Sequence, residues 1–462
     1  MSIIKAYTLP HPPLAVPNVG RGKESKGIPD TLKAMDAVAV EIAEIAPETI
    51  IFITPHNTLY ADYFHISPGK TAKGDLGRFG APEVKFEAEY DEELVREISR
   101  VAEYNEIHAG TMGERDSNLD HAVTVPMWFI NQRYTGYKTV RISQSGMSAS
   151  EHYMLGLVIA TAAEAFDRRT IVIASSDLSH KLQADAPYGY APEGPEFDKL
   201  ITEAIKTGDF LALLQIPSSL RERAGECGYN SLTMLAGCFD EFDVETELMS
   251  YEGPFGVGYA VASFSPLSKN EEKNILEQYI NYTIDEMDKK RSKEDKYQEL
   301  ARSSLEHIVK TGKKLEVPCG LPDEMLNKKA GAFVSIHKSG SLRGCIGTIS
   351  PTTENIANEI IQNAISAGLS DDRFNPVSES ELPYLVYKVD ILGETEAISG
   401  PEQLDIKRYG VIVTSGNKRG LLLPNLDGID SVEQQIAIAS QKAGIGKGEK
   451  IKLERFEVIR HE

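Results

Sequence analysis

Short apolar runs alternate along the chain with longer stretches in which apolar residues return every third or fourth position. Ile3 to Leu9, Thr49 to Thr54, Lys138 to Ser143 and Ile171 to Ala174 are short and rich in β-branched residues, so they read as strands. Ile28, Leu32, Met35, Ala39, Ile42 and Ile45 recur at helical spacing, which predicts a helix over Pro29 to Ile45, ended by Pro47. Asp91 to Tyr104, Glu151 to Phe166, Phe197 to Lys206 and Phe210 to Leu214 read as further helices. Continuous apolar strands separated by helices predict an α/β unit: a mostly parallel central sheet with helices on both faces. Asn18 to Asp30 reads as an exposed loop, and Tyr60 to Glu89, with Gly69, Gly74, Gly77 and Gly80, as a hairpin or a lid. Glu245 to Tyr251 and Gly256 to Phe264, joined around Gly253-Pro254, predict a closing antiparallel hairpin.

The pattern changes near Ser268. Glu271 to Lys296 is densely charged and reads as a helical linker. The expected division is therefore 1–266 as a first domain, 267–295 as linker and 296–462 as a second domain. In the second, Leu300, Leu305 and Ile308 mark a helix. Strands are expected at Gly331 to Ile336, Leu385 to Leu392 and Gly410 to Thr414, a turn at Ser339-Gly340, and helices at Glu354 to Ala367 and Ser431 to Ala443. That mixture is α+β.

Composition narrows the function. A 462-residue chain with 69 acidic and 49 basic residues carries a formal charge of −20, which argues against nucleic acid or an anionic membrane as its main partner. No apolar run approaches the roughly 20 residues that span a bilayer. The four cysteines form no C-x-x-C pair, so neither a zinc ribbon nor a disulfide framework is expected, and a reducing, cytoplasmic setting is.

Histidines stand directly after two of the strands: Pro10-His11-Pro12-Pro13 and Pro55-His56-Asn57. A lone histidine beside proline is usually structural, but two delivered by the same device favour a ligand pair. The third such strand breaks into Ser175-Ser176-Asp177-Leu178-Ser179-His180, an acid and an imidazole at a carboxyl end, where open α/β sheets place their sites. A locally capped turn is the plainer reading of Asp177. His121 in Asn118-Leu119-Asp120-His121 either caps the following helix or lines a pocket, and spacing favours the cap. Glu226 lies in the Gly-flanked turn Gly225-Glu226-Cys227-Gly228 before a helix, as a carboxylate favoured by the helix dipole or as an anionic metal ligand. His11, His56 and Glu226 together make the two-imidazole, one-carboxylate set that suits non-haem Fe(II) and O2 chemistry, although zinc accepts the same donors. His180 would then move a substrate proton, oriented by Asp177.

The stretches L-P-H-P-P (His11), I-T-P-H-N (His56), L-D-H-A-V-T-V-P (His121) and S-S-D-L-S-H (Asp177, His180) resemble the LigB-type, class III extradiol ring-cleavage dioxygenases, a family that includes the Memo-like proteins. The resemblance implies Fe(II) held by His11, His56 and a carboxylate, His180 as acid/base, His121 near a catechol-like substrate, and O2 as co-substrate. The Memo-like branch places a cysteine where this chain has Cys227, which implies an alternative third ligand and a metal or redox protein without ring cleavage. Leu342-Arg343-Gly344-Cys345-Ile346-Gly347 is similar to the hallmark of the AMMECR family. That resemblance implies a possible radical-SAM partner protein, and a homodimer is usual among similar proteins. Cys345, beside Arg343 and eight residues from His337, is either a reactive thiol, the working centre of a binding or modification module, or a small buried residue in a tightly packed strand.

Overall fold

The structure, a computed structural model, describes residues 3–19, 27–115, 117–338, 340–426 and 428–462. Part of the expected loop Asn18 to Asp30, and Ser339 of the expected turn, lie outside the described residues. The chain divides into two compact units, Met1–Asn281 and Tyr282–Glu462. The division falls within a helix, Ile275–Arg291, inside the charged stretch.

The first unit is built on one six-stranded sheet in the order Lys138–Ser143, Thr49–Thr54, Thr170–Ser175, Ile3–Leu9, Tyr259–Lys269, Phe242–Glu252. The first four strands pair in parallel, and the last two are antiparallel. Successive residues of the central strands enter opposite cores. Ile51, Ile53, Val172 and Ala174 join one apolar cluster, while Ile50, Phe52, Ile171 and Ile173 join the other. Burial on both faces is why these strands are continuously apolar rather than alternating. One face carries the helices Glu92–Tyr104, Ala149–Glu164 and Tyr229–Gly237; the other carries Pro29–Ile45 and His121–Asn131. Local chemistry sets the helix ends. Ser148 and Glu151 form a capping box, and Ala46 closes Pro29–Ile45 in the left-handed region ahead of Pro47.

The two histidine-bearing strands Ile3–Leu9 and Thr49–Thr54 are not neighbours, because Thr170–Ser175 lies between them. Leu9 is level with Ser175, and Ile53 with Ala174. The segments after all three therefore leave the same edge of the sheet at nearly the same height. Within Tyr60 to Glu89, read as a hairpin or a lid, Thr71–Leu76 and Ala81–Glu89 form an antiparallel hairpin.

Among the described residues, the second unit holds two four-stranded antiparallel sheets. In one, Ser341–Gly347, Ala332–Lys338, Leu385–Leu392 and Val458–His461 lie side by side. Its apolar face packs on the helices Lys296–Thr311 and Ile356–Leu369. In the other, Glu396–Ile398, Lys452–Phe456, Gly410–Ser415 and Lys418–Leu422 are backed by Val432–Lys442. No helix among the described residues is long and apolar enough to cross a membrane.

Candidate metal centre

His11 follows the strand Ile3–Leu9 and is only 1% exposed. Its backbone N–H donates to Asp177 Oδ1 at 2.8 Å, and its Nδ1 lies 2.9 Å from Ser175 Oγ. Ser175 has one hydroxyl hydrogen and gives it to the carbonyl of Ala122 at 2.6 Å. Ser175 Oγ must therefore accept from His11 Nδ1–H, which leaves His11 Nε2 with a bare lone pair. That Nε2 lies 3.1 Å from His56 Nε2 and 3.6 Å from Cys227 Sγ. One ligand atom from each of His11, His56 and Cys227 falls within 4.8 Å of the others. His11 is buried, Cys227 is half-buried and His56 is exposed, so the cluster opens to solvent on the His56 side.

Glu226 does not join this group. Its carboxylate accepts the N–H of Tyr229, the first residue of the helix Tyr229–Gly237, at 2.7 Å. That contact accords with the helix-dipole reading of Glu226, and it is Sγ of the neighbouring Cys227 that lies beside the imidazoles. The loop carrying Cys227 is held from the sheet, since Gln144 Nε2 donates 2.8 Å bonds to Cys227 O and to Ser231 Oγ.

His121 is not the helix cap. Asp120 is, its side chain accepting from Ala122 N–H at 3.0 Å. His121 is the first helical residue, and its ring stacks on that of His56 with centroids 4.5 Å apart and lies 5.3 Å from that of His11. Phe79 stands 5.2 Å from the His121 ring. His180 has a buried Nε2 with no hydrogen-bond partner among the described residues, and its ring lies 5.2 Å from that of Tyr188.

Burial and crowding keep these imidazoles neutral. His11 is pushed well below the ordinary histidine value by burial, then by repulsion from His56, His121 and His180. His121 falls to about 4 through burial and the nearby charges of His56 and Arg78. His180 falls to about 4 through burial and then His56. Asp177 moves the other way: burial lifts it to about 7, against the His11 N–H that favours its charge. Its 3.7 Å approach to His11 Nε2 is thus no ion pair, because that ring is neutral. The Cys227 thiol is raised by burial and by the carboxylates of Asp177 and Glu226. Neutral imidazoles with free lone pairs beside a thiol fit a metal cation, which would compensate the crowded donors.

In the second unit, Ser335 rather than His337 is the partner of Cys345. Ser335 lies opposite it in the sheet and donates to its Sγ at 3.2 Å. His337 is level with Leu342, and no hydrogen bond joins it to Cys345 among the described residues. Arg343 grips Glu381 through Nε and Nη2, both at 3.0 Å, while Arg373 Nη2 reaches Cys345 O at 3.3 Å.

Sequence reasoning passed over Ser175, Gln144 and Phe79. Ser175 and Gln144 carry a readable signal, since each ends or follows a parallel strand at the edge where the histidines gather.

Fold and residues define the class: the chain belongs to the LigB family. Residues 5–262 match the family model described as the catalytic LigB subunit of aromatic ring-opening dioxygenase, and residues 298–461 match AMMECR1. Protein CA_C1420 of Clostridium acetobutylicum is 43% identical over 470 residues, spanning 100% of this chain and 99% of its own. A Thermotoga maritima protein is 47% identical over 170 residues, 36% of this chain and 98% of its own. Among solved structures, Pyrococcus horikoshii PH0010 is similar at 32% identity and a TM-score of 0.33 over 36% of this chain and 88% of its own. Escherichia coli JW3007 is similar at 14% identity and a TM-score of 0.39 over 57% of this chain and 99% of its own.

Proposed function

We propose that the first unit is a metal-dependent oxidoreductase centre in which His11, His56 and Cys227 hold one divalent cation. The observation that carries this reading is that Cys227 Sγ, and not the Glu226 carboxylate, meets the two imidazole nitrogens. A bound cation would supply Lewis-acid polarisation and, for iron or copper, a redox couple. The thiolate draws the preference from iron toward copper, a softer ion that keeps a redox couple. His11 is held in the required tautomer by Ser175. His180, neutral and with a free Nε2, can accept a proton from a bound molecule. Asp177, lifted to about 7, can hold or release one at neutral pH. The rings of Phe79, His121 and Tyr188 suit a planar aromatic ligand.

The LigB match over residues 5–262 favours a second reading, Fe(II)-dependent extradiol cleavage of a catechol-like ring by O2, with the AMMECR1 domain as an accessory. One experiment separates the two. Metal content and O2 uptake with a catechol panel are measured after anaerobic loading of wild type, Glu226→Ala and Cys227→Ala. The first reading expects Cys227→Ala to lose metal and Glu226→Ala to keep it. Retention of metal by Cys227→Ala, with loss in Glu226→Ala and O2 uptake by wild type, would reinstate the carboxylate-bound iron.

A further inference from the structure

Resting on the metal reading above, we infer that Asp120 is the positioning residue that sets His56 and His121 in register with each other. One oxygen, Oδ1, accepts from two segments of the chain. The Thr54 hydroxyl, at the end of the strand Thr49–Thr54, donates to it at 2.7 Å, and the Ala122 N–H, in the first turn of the helix His121–Asn131, donates at 3.0 Å. Thr54 Oγ1 in turn accepts the backbone N–H of His56 at 3.1 Å. A path of three hydrogen bonds thus runs from the backbone of His56 to the helix start that carries His121. The stacking of the two rings, 4.5 Å apart and 17° from parallel, is what that path holds in place.

The carboxylate is itself anchored. Its second oxygen, Oδ2, is buried without a hydrogen-bond partner among the described residues and lies 3.8 Å from Nη1 of Arg141. Arg141 is fully buried, and donates to Ser67 Oγ at 2.7 Å and to Asn118 O at 2.6 Å. Asn118 is two residues before Asp120, so the guanidinium fixes the loop as well as facing the charge. Only a short acceptor side chain at the N-cap position can serve strand and helix at once. Alanine there would release the Thr54 hydroxyl, and with it the loop of His56.

The test uses the full-length protein and Co2+ alone as the probe, with affinity and the thiolate-to-cobalt absorption band as readouts. Ring nitrogen shifts of the metal-free protein are recorded by NMR in parallel. Asp120→Ala should weaken Co2+ about 10–100-fold, as loss of supporting hydrogen bonds around ligands does, and alter the band. Asp120→Asn keeps Oδ1 and should remain within about 3-fold of wild type, a rescue that a charge effect would not give. Thr54→Val keeps Asp120 facing Arg141, so it tests the path even if Asp120→Ala fails to fold. It should weaken Co2+ about 10-fold and shift the ring signals of His56 and His121 but not of His180. Wild-type affinity, band and ring shifts in Thr54→Val would overturn the inference, and so would an Asp120→Asn protein as defective as Asp120→Ala. If wild type takes up no cobalt, the metal reading fails, and the metal-free ring shifts still decide whether Asp120 holds the two histidines.

Discussion

Cys227 and Cys345 are both free, half-buried thiols, each next to a glycine where two backbones come close. Their company differs in kind. Around Cys227 stand neutral imidazoles whose nitrogens offer lone pairs. Around Cys345 stand a hydroxyl that donates to the sulfur, the carboxylate of Asp371 on its N–H, and the guanidinium of Arg373 on its carbonyl. The first setting supplies donors to a cation. The second is a network of N–H and O–H groups already matched to acceptors, and its histidine stays apart. Of the described residues, only the first setting brings three metal-binding side chains together. A cysteine motif therefore says little by itself; the hydrogen-bonding sign of its neighbours decides what it can hold.

The sharpest way to break this contrast is to exchange the two cysteines for alanine and measure metal. Cys227→Ala should lose affinity by about 100-fold or more, since one of three ligands goes, whereas Cys345→Ala should stay within about 2-fold. Equal losses would show that the second unit also binds the ion, and the comparison would fail.

The glycines come next. A Cβ on Gly344 would stand 2.1 Å from Ala367 O, and one on Gly228 would stand 2.4 Å from Ser176 Cβ and 2.6 Å from Asp177 O. Neither backbone neighbour can step aside cheaply. Gly344→Ala should destabilise the second unit by about 1–3 kcal/mol, read as earlier exchange of the amides in Ala332–Lys338. Gly228→Ala should act on the site, loosening the segment between Asp177 and Cys227 and reducing metal affinity about 10-fold. A Gly228→Ala protein with unchanged affinity would show that the tight approach is packing alone.

What could be read beforehand follows from how the information is stored. The buried parallel strands announce themselves because both of their faces are apolar, and the ends of Thr49–Thr54 and Pro29–Ile45 are legible to the residue. His11, His56 and Cys227 were all visible as candidates, because prolines and glycines frame them. Which of Glu226 and Cys227 would lie beside the imidazoles was not, since adjacent residues differ only in which way the turn points them, and Tyr229 N–H claims the carboxylate. Spacing likewise favoured His121 as a cap, because nothing in the pattern reveals that Asp120 already serves Ala122. In the second unit the strands Lys452–Phe456 and Lys418–Leu422 escaped notice. They are short and half-exposed, so lysine, glutamate and arginine interrupt the apolar signal.

The smallest effect concerns the charges near Cys345. Burial works against ionisation of Glu381, yet its carboxyl is held at about 2, below the ordinary 4.5, by hydrogen bonds from Arg343 and the Ser378 N–H and by the charge of Lys338. A carboxyl depressed on folding stabilises the native state fully above 4.5 and loses that contribution as pH falls toward 2. Replacing Glu381 with Gln should therefore cost about 1–2 kcal/mol at neutral pH, seen as faster amide exchange in Ser341–Gly347, and the difference should vanish as pH approaches 2. The His11–His56–Cys227 cluster should not register the change at all. If Glu381→Gln altered cobalt uptake at neutral pH, Cys227 and Cys345 would not be independent, and the contrast between the two thiols would have to be rewritten as a coupling.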